Sequence, residues 1–208
     1  MILKSVRATA GAMALVAAAG FFSAAGASKA PAEWLDSAQQ KVALLADAAG
    51  DMVAPLVWKA AEQNLRYDEA WVNSLPKAEG DEEWQCLTQA LYFESRGEEI
   101  EGQFAVAEVI LNRRDSALYP RTVCGVVHQG GRGACQFSFA CDGRVKMREK
   151  DAALQAGRIA RLMLDGAERR LTDGATHFHT KRVRPGWSKR FPKTAQIGAH
   201  LFYRQPGA

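Results

Sequence analysis

The sequence predicts an α+β fold, mostly helical, with a small set of short β-strands and a helical N-terminal extension. Apolar residues recur at helical spacing through Trp84, Leu87 and Leu91, and again through Phe104, Ala107 and Leu111, as on a helix with one face in a core. Glycine or proline stands beyond the helical stretches, at Gly97, Pro120 and Gly166, where helices stop. The segments that read as strands, Ala175 to Thr180 and Ile197 to Arg204, are short and late in the chain. A run of helices with a few short strands is an α+β arrangement.

Composition bounds the rest. The chain has 208 residues, 48% hydrophobic and 24% charged, with a formal charge of +4. That suits one domain of ordinary size with extra N-terminal material. It excludes a disordered or collagen-like chain. No internal period repeats, which argues against a solenoid, and the modest charge gives no sign of a nucleic-acid partner.

Residues 1–30 contain no acid. Lys4 and Arg7 precede the apolar run Ala8 to Phe22, and the small residues Ser23 to Ala27 follow. This order reads as a secretory signal peptide. It predicts a periplasmic or secreted protein with no stable membrane span after cleavage. An uncleaved anchor is the alternative, because the run to Ala27 is about long enough to span. Residues 31–80 read as a helical extension and linker. Trp34, Leu35, Ala38, Val42 and Leu45 keep a helical period, continued by Trp58, Ala61 and Leu65. This segment carries no chemical motif and could receive a protein partner. Leu75-Pro76-Lys77-Ala78-Glu79-Gly80 reads as a linker.

The dense part is residues 81–208. Asp81 to Arg96 reads as a helix with acids in its first turn, and Glu101 to Arg114 as a second. Tyr119-Pro120 ends it. Arg121 to Val127 and Gln136 to Phe139 read as extended pieces around a glycine-rich turn, Gly130 to Gly133. Asp151 to Leu164 is helical again. Residues 31–80 hold 4 basic and 8 acidic groups, residues 81–208 hold 20 and 15. The basic part favours an anionic polymer or surface; a mildly basic solvated surface is the alternative.

Four cysteines, Cys86, Cys124, Cys135 and Cys141, suggest two disulfides in an exported protein. Three pairings are possible. The short Cys135–Cys141 loop is the easiest to close, which would leave Cys86 with Cys124. A zinc site is the rival, without any CxxC spacing to support it.

Glu94 is the most informative residue. It lies seven positions after Leu87, so it returns to within about 20° of the same helix face. A carboxylate on a core-facing stripe is costly unless partnered or protonated. The negative end of the helix dipole adds to the effect. Both raise a carboxyl pKa, as a general acid requires. The rival is an ion pair with Arg96 or Arg113.

Around Glu94, the stretch Leu87-Thr88-Gln89-Ala90-Leu91-Tyr92-Phe93-Glu94-Ser95-Arg96-Gly97-Glu98 continues through Glu101-Gly102-Gln103 to Asn112-Arg113. It closely resembles the SleB/CwlJ-type cell wall hydrolases, with Ser95 in place of a commoner alanine. The resemblance runs on through Thr122 to Val127, Gln136-Phe137-Ser138, Gly174 to His179, Trp187 and Ile197 to Tyr203, about residues 86–204 in all. It implies a lysozyme-like fold related to lytic transglycosylases, no cofactor, and peptidoglycan glycan strands as substrate. The implied cut is between N-acetylmuramic acid and N-acetylglucosamine, with Glu94 as acid and then base. Hydrolysis instead would need a second carboxylate, for which Glu98, Glu99, Glu101 and Asp142 are available. Ser95, Gln136, Ser138, His177, His179 and Trp187 are the candidate substrate contacts. His177 and His179 share one face of a strand and, with His128 or His200, could instead hold zinc in an amidase or peptidase. A non-catalytic wall-binding module is the remaining alternative.

Overall fold

The computed structural model describes residues 53–130, 135–141 and 146–208, all within one compact unit. The signal segment 1–30, residues 31–52 of the extension, the glycine-rich turn at 131–134 and Asp142 lie outside the described residues. Seven helices are described: α1 (53–63), α2 (Glu69–Ser74), α3 (Glu82–Ser95), α4 (Ile100–Asp115), α5 (Val123–Val127), α6 (Ser138–Cys141) and α7 (Lys150–Leu164). Strands β1 (His177–Thr180), β2 (Lys193–Ile197) and β3 (His200–Tyr203) follow, with a 3-10 turn at Gly186–Lys189 between β1 and β2. The sheet order is β1-β3-β2, antiparallel throughout. Among the described residues no helix is long and apolar enough to cross a membrane.

The three long helices start and stop close to the sequence expectation. The side chain of Asp81 caps α3 by accepting from the Trp84 backbone N–H, a standard N-cap. Leu87, Ala90 and Leu91 of α3 and Phe104, Ala107, Ile110 and Leu111 of α4 fill the core beside Ile159 and Leu162 of α7. Residues 53–80 share that core through Trp58, Ala61, Val72, Leu75 and Ala78. The stretch with a linker's composition is held by Arg158, whose Nε donates to the carbonyls of Leu75 and Pro76.

Two segments expected to be extended are helical. Thr122 caps α5 by accepting from the Gly125 N–H, and the Glu83 carboxylate accepts from the N–H groups of Val123 and Cys124. Satisfying the free donors of a helix start outweighs the strand preference of the valines. Ser138–Cys141 is a helical turn closed by the Cys135–Cys141 disulfide, so Gln136 and Ser138 do not lie on a sheet. The second disulfide joins Cys86 of α3 to Cys124 of α5. The segment Ile197 to Arg204 is not one strand either. Gly198 (φ +54°) and Ala199 make a two-residue loop between β2 and β3, and a glycine with positive φ is what such a loop needs. A Cβ at Gly198 would also stand 2.4 Å from Glu98 Oε2.

Candidate active site

Glu94 occupies the last turn of α3, half-buried. Burial pushes its carboxyl above the ordinary value, and the Arg113 guanidinium opposes that shift. Arg96 does not pair with it. The Arg96 guanidinium bonds Glu149 at 3.0 Å and lies over the Tyr92 ring. Among the described residues Glu94 has no ion pair within 4.0 Å.

The turn after Glu94 is fixed from three sides. Gln103 Nε2 donates to the Glu98 carbonyl and to Gln155 Oε1, 3.0 Å each. Glu98 Oε2 accepts from the Ala199 N–H at 3.0 Å, tying the turn to the β2–β3 loop. A side chain at Gly102 would press on Glu98, its Cβ 3.1 Å from the Glu98 Cβ. These contacts give Gly102 and Gln103 a physical role: they hold the turn at Glu98 that follows α3.

Asn112 and Arg113 do the same for β1. Asn112 Nδ2 donates to the Ala175 carbonyl at 2.9 Å, and Arg113 Nε donates to the Thr176 carbonyl. The Arg113 guanidinium is buried against Tyr119 (5.5 Å) and Phe137 (5.8 Å). Its Nη1 has no hydrogen-bond partner among the described residues. Burial lowers its pKa to about 10, against the pull of Tyr119 and Glu94, so it stays charged near neutral pH. Sequence reasoning weighed Arg113 mainly as a structural ion pair. In the structure it is a buried cation bonded to the Thr176 carbonyl just before β1, and its charge opposes the rise of the Glu94 carboxyl.

The sheet presents two different faces. Phe202, Phe178, Ala195 and Ile197 pack on Ala105 and Val109 of α4. His177, His179 and Tyr203 point the other way, where alternate strand residues belong. There His177 meets Trp187 at 4.8 Å, Phe191 at 5.0 Å and Tyr119 at 6.4 Å. Burial first, then Arg113, lowers the His177 pKa to about 4, so its ring is neutral at pH 7. His179 is buried, with Nδ1 2.8 Å from the Thr180 carbonyl and Nε2 3.2 Å from the Tyr203 hydroxyl. Trp187 is half-buried beside both histidines. Tyr119 and Phe191 complete the cluster, and neither is among the candidates the sequence offers.

The other candidates sit as follows. Ser95 is buried, its hydroxyl donating to the Leu91 carbonyl at 2.9 Å. Gln136 and Ser138 are exposed, and their segment lies beside the end of α3, where Phe139 stacks on Phe93 at 4.8 Å. Glu99 and Glu101 are exposed at the start of α4. His200 packs on the core face with Phe178. Its Nδ1 is 3.6 Å from Glu98 Oε1, too long for a hydrogen bond. His200 therefore lies on the opposite face from His177 and His179. Among the described residues no group of three metal-ligating side chains forms.

Known proteins match this chain. A family model described as cell wall hydrolase covers residues 97–203, beginning three positions after Glu94. The spore cortex-lytic enzyme of Oceanobacillus iheyensis is 35% identical over 131 residues, 62% of this chain and 44% of the relative. That of Bacillus subtilis is 32% identical, over 66% of this chain and 42% of the relative. The chain thus spans less than half the length of these curated relatives. The solved catalytic domain of the germination-specific lytic transglycosylase SleB from Bacillus anthracis is 31% identical. It matches 62% of this chain and 100% of that one, with a TM-score of 0.50.

Proposed function

The chain belongs to the cell wall hydrolase family, and on that premise we propose that it is an exported enzyme that cleaves peptidoglycan glycan as a lytic transglycosylase, with Glu94 as acid and base. One observation carries the reading: Glu94 is a half-buried carboxyl, held proton-rich by burial, with no ion pair among the described residues. A carboxyl shifted in this direction is suited to general acid catalysis.

The protonated Glu94 gives its proton to the oxygen bridging N-acetylmuramic acid and N-acetylglucosamine. The bond from the anomeric carbon to that oxygen breaks, and its electron pair leaves with the oxygen as the N-acetylglucosamine hydroxyl. The Glu94 carboxylate then takes the proton of the muramic C6 hydroxyl. That oxygen bonds to the anomeric carbon, closing a 1,6-anhydro ring and returning Glu94 to its protonated form. Neither a cofactor nor a protein nucleophile is needed.

Hydrolysis would need a second carboxylate at a set distance. Glu98 is committed to the Ala199 N–H, while Glu99 and Glu101 face solvent, so none of these three described carboxylates is placed as that partner. Trp187 and the neutral His177, with Tyr119 and Phe191, form an aromatic surface suited to a sugar face. The signal-like residues 1–30 support delivery to the wall.

The test is to incubate the protein and its Glu94→Gln variant with purified peptidoglycan and identify products by mass spectrometry. Anhydro-muropeptides from the wild type alone are expected. Reducing-end products would make the enzyme a hydrolase. No product from either would leave a wall-binding module.

A further inference from the structure

A second recess lies on another face of α3. A cavity of about 550 Å³ opens between α3, α7 and the chain at 77–78. Its α3 wall is Trp84 and Thr88. These stand about 15 and 9 Å from Glu94 along the helix and roughly 80–120° around it, so the recess is separate from the candidate active site.

The lining has two chemistries. The floor is apolar, with Trp84, Met147 and Leu154 its largest side chains. The rim carries Lys77, Lys146 and Lys150, and no acidic side chain among the described residues lines the cavity. Lys77 bonds Glu79 at 2.7 Å. Lys146 and Lys150 have no ion pair among the described residues. Leu154 is 38% exposed.

The indole of the recess is held in place. Trp84 Nε1 donates to the Gly157 carbonyl at 2.8 Å. The indole fills the space beside two glycines: a Cβ at Gly80 would stand 2.6 Å from its Cγ, and one at Gly157 3.0 Å from its Cζ2. The Thr88 hydroxyl is buried without a hydrogen-bond partner among the described residues, so it is not presented to the recess and the floor stays apolar.

We propose that this recess binds the peptide part of the polymer: a short peptide with small apolar side chains and a free carboxylate. The carboxylate lies toward Lys146 and Lys150, and the methyl groups against Trp84 and Leu154. The proposal rests on the reading of the substrate as peptidoglycan, whose glycan strands carry such peptides. A bare sugar would want several polar partners, which an apolar floor does not supply. A lipid surface would want apolar side chains standing outward, whereas these line a concavity. Two contact points on one helix would let a strand be held by its peptide while Glu94 meets its glycan.

The test uses the full chain carrying Glu94→Gln, so that the polymer is not consumed. Binding is measured by co-sedimentation with intact peptidoglycan and with the same glycan after its peptides are removed. Tighter binding to the intact polymer is expected. Lys146→Glu with Lys150→Glu should weaken that binding about tenfold, less so in high salt, and leave binding to the stripped glycan unchanged. Leu154→Asp should act in the same direction. These side chains are exposed, so such changes leave stability nearly untouched.

Equal affinity for both polymers would overturn the proposal. So would an equal loss on both, which is non-specific attraction, or a loss confined to anionic phospholipid vesicles. The catalytic reading fails separately. Peptide-dependent binding by a chain that releases no products keeps this site and removes the enzyme, while product release without peptide dependence does the reverse.

Discussion

The last turn of α3 and the middle of α4 each place a glutamate against the protein interior, and they treat it in opposite ways. Glu108 is 1% exposed. Its carboxylate accepts from the Leu171 N–H (2.9 Å), the Thr172 N–H (2.8 Å) and the Thr172 hydroxyl (2.7 Å). Glu94 is less buried, has no ion pair among the described residues, and its carboxyl is pushed up by burial. Burial alone therefore does not mark a reactive acid. A carboxylate with three donors is a staple, here fixing the chain that leads into β1. A carboxyl without them is pushed up by burial, which is the direction the proposed general acid requires.

Exchanging each residue for its amide separates the two roles. Glu94→Gln should cost about 10²–10⁴ in turnover on peptidoglycan, with the melting temperature unchanged or raised. Glu108→Gln should do the opposite. An amide NH2 now faces backbone N–H groups, leaving buried donors unpaired at a cost of about 2–4 kcal/mol, while turnover per folded molecule stays near wild type. Denaturant unfolding and product release measured on the same samples decide it. A stability loss at Glu94, or an activity loss at Glu108 without unfolding, would collapse the distinction.

The two cysteine pairs differ in a similar way. Cys86–Cys124 closes a sequence separation of 38 and ties α3 to α5, while Cys135–Cys141 closes one of 6. Chain-entropy reasoning makes the first bridge the larger stabiliser, about 2–4 kcal/mol. Cys86→Ser paired with Cys124→Ser should lower the melting point more than Cys135→Ser paired with Cys141→Ser. Equal shifts would show that strain or residual structure decides, not loop length.

What could be read in the sequence follows from where each signal lives. The helices α3, α4 and α7 are legible because their apolar spacing, acidic starts and glycine or proline stops are local. Glu94 was legible because helical spacing puts it on the stripe of Leu87. The α5 helix was not, because what stabilises it is Glu83, forty residues away, supplying acceptors to its first turn. β2 escapes the sequence reading because Gly198 falls inside the stretch that reads as one strand, although a glycine within a two-residue loop is a local signal. The cluster of Trp187, Phe191, Tyr119 and His177 depends on the β1-β3-β2 order and could not be read from spacing. Arg113 is the sharpest case. Its position at the end of α4 reads as an ordinary basic helix end, and only the packing of Tyr119 and Phe137 reveals that it is buried.

Arg113 also supplies the finest test of the comparison, since its charge is what restrains the rise of Glu94. The charged and titratable groups coupled to it are Glu94, Tyr119 and His177. A general acid works only while protonated, so activity falls as pH rises through the Glu94 pKa. Arg113→Gln removes the opposing cation, and the alkaline limb of the pH–activity profile should move to higher pH. Arg113→Lys keeps the charge and should hold the limb near its wild-type position, although both variants lose some stability. The same proton has a stability consequence. A carboxyl whose folded pKa is raised binds its proton more tightly folded than unfolded. Its contribution therefore falls as pH rises from the unfolded value of about 4.3 through the folded one. Glu94→Gln should gain stability over the wild type above that window and match it below. If the gain fails to grow with pH, Glu94 is not held proton-rich by the fold, and its contrast with Glu108 loses its physical basis.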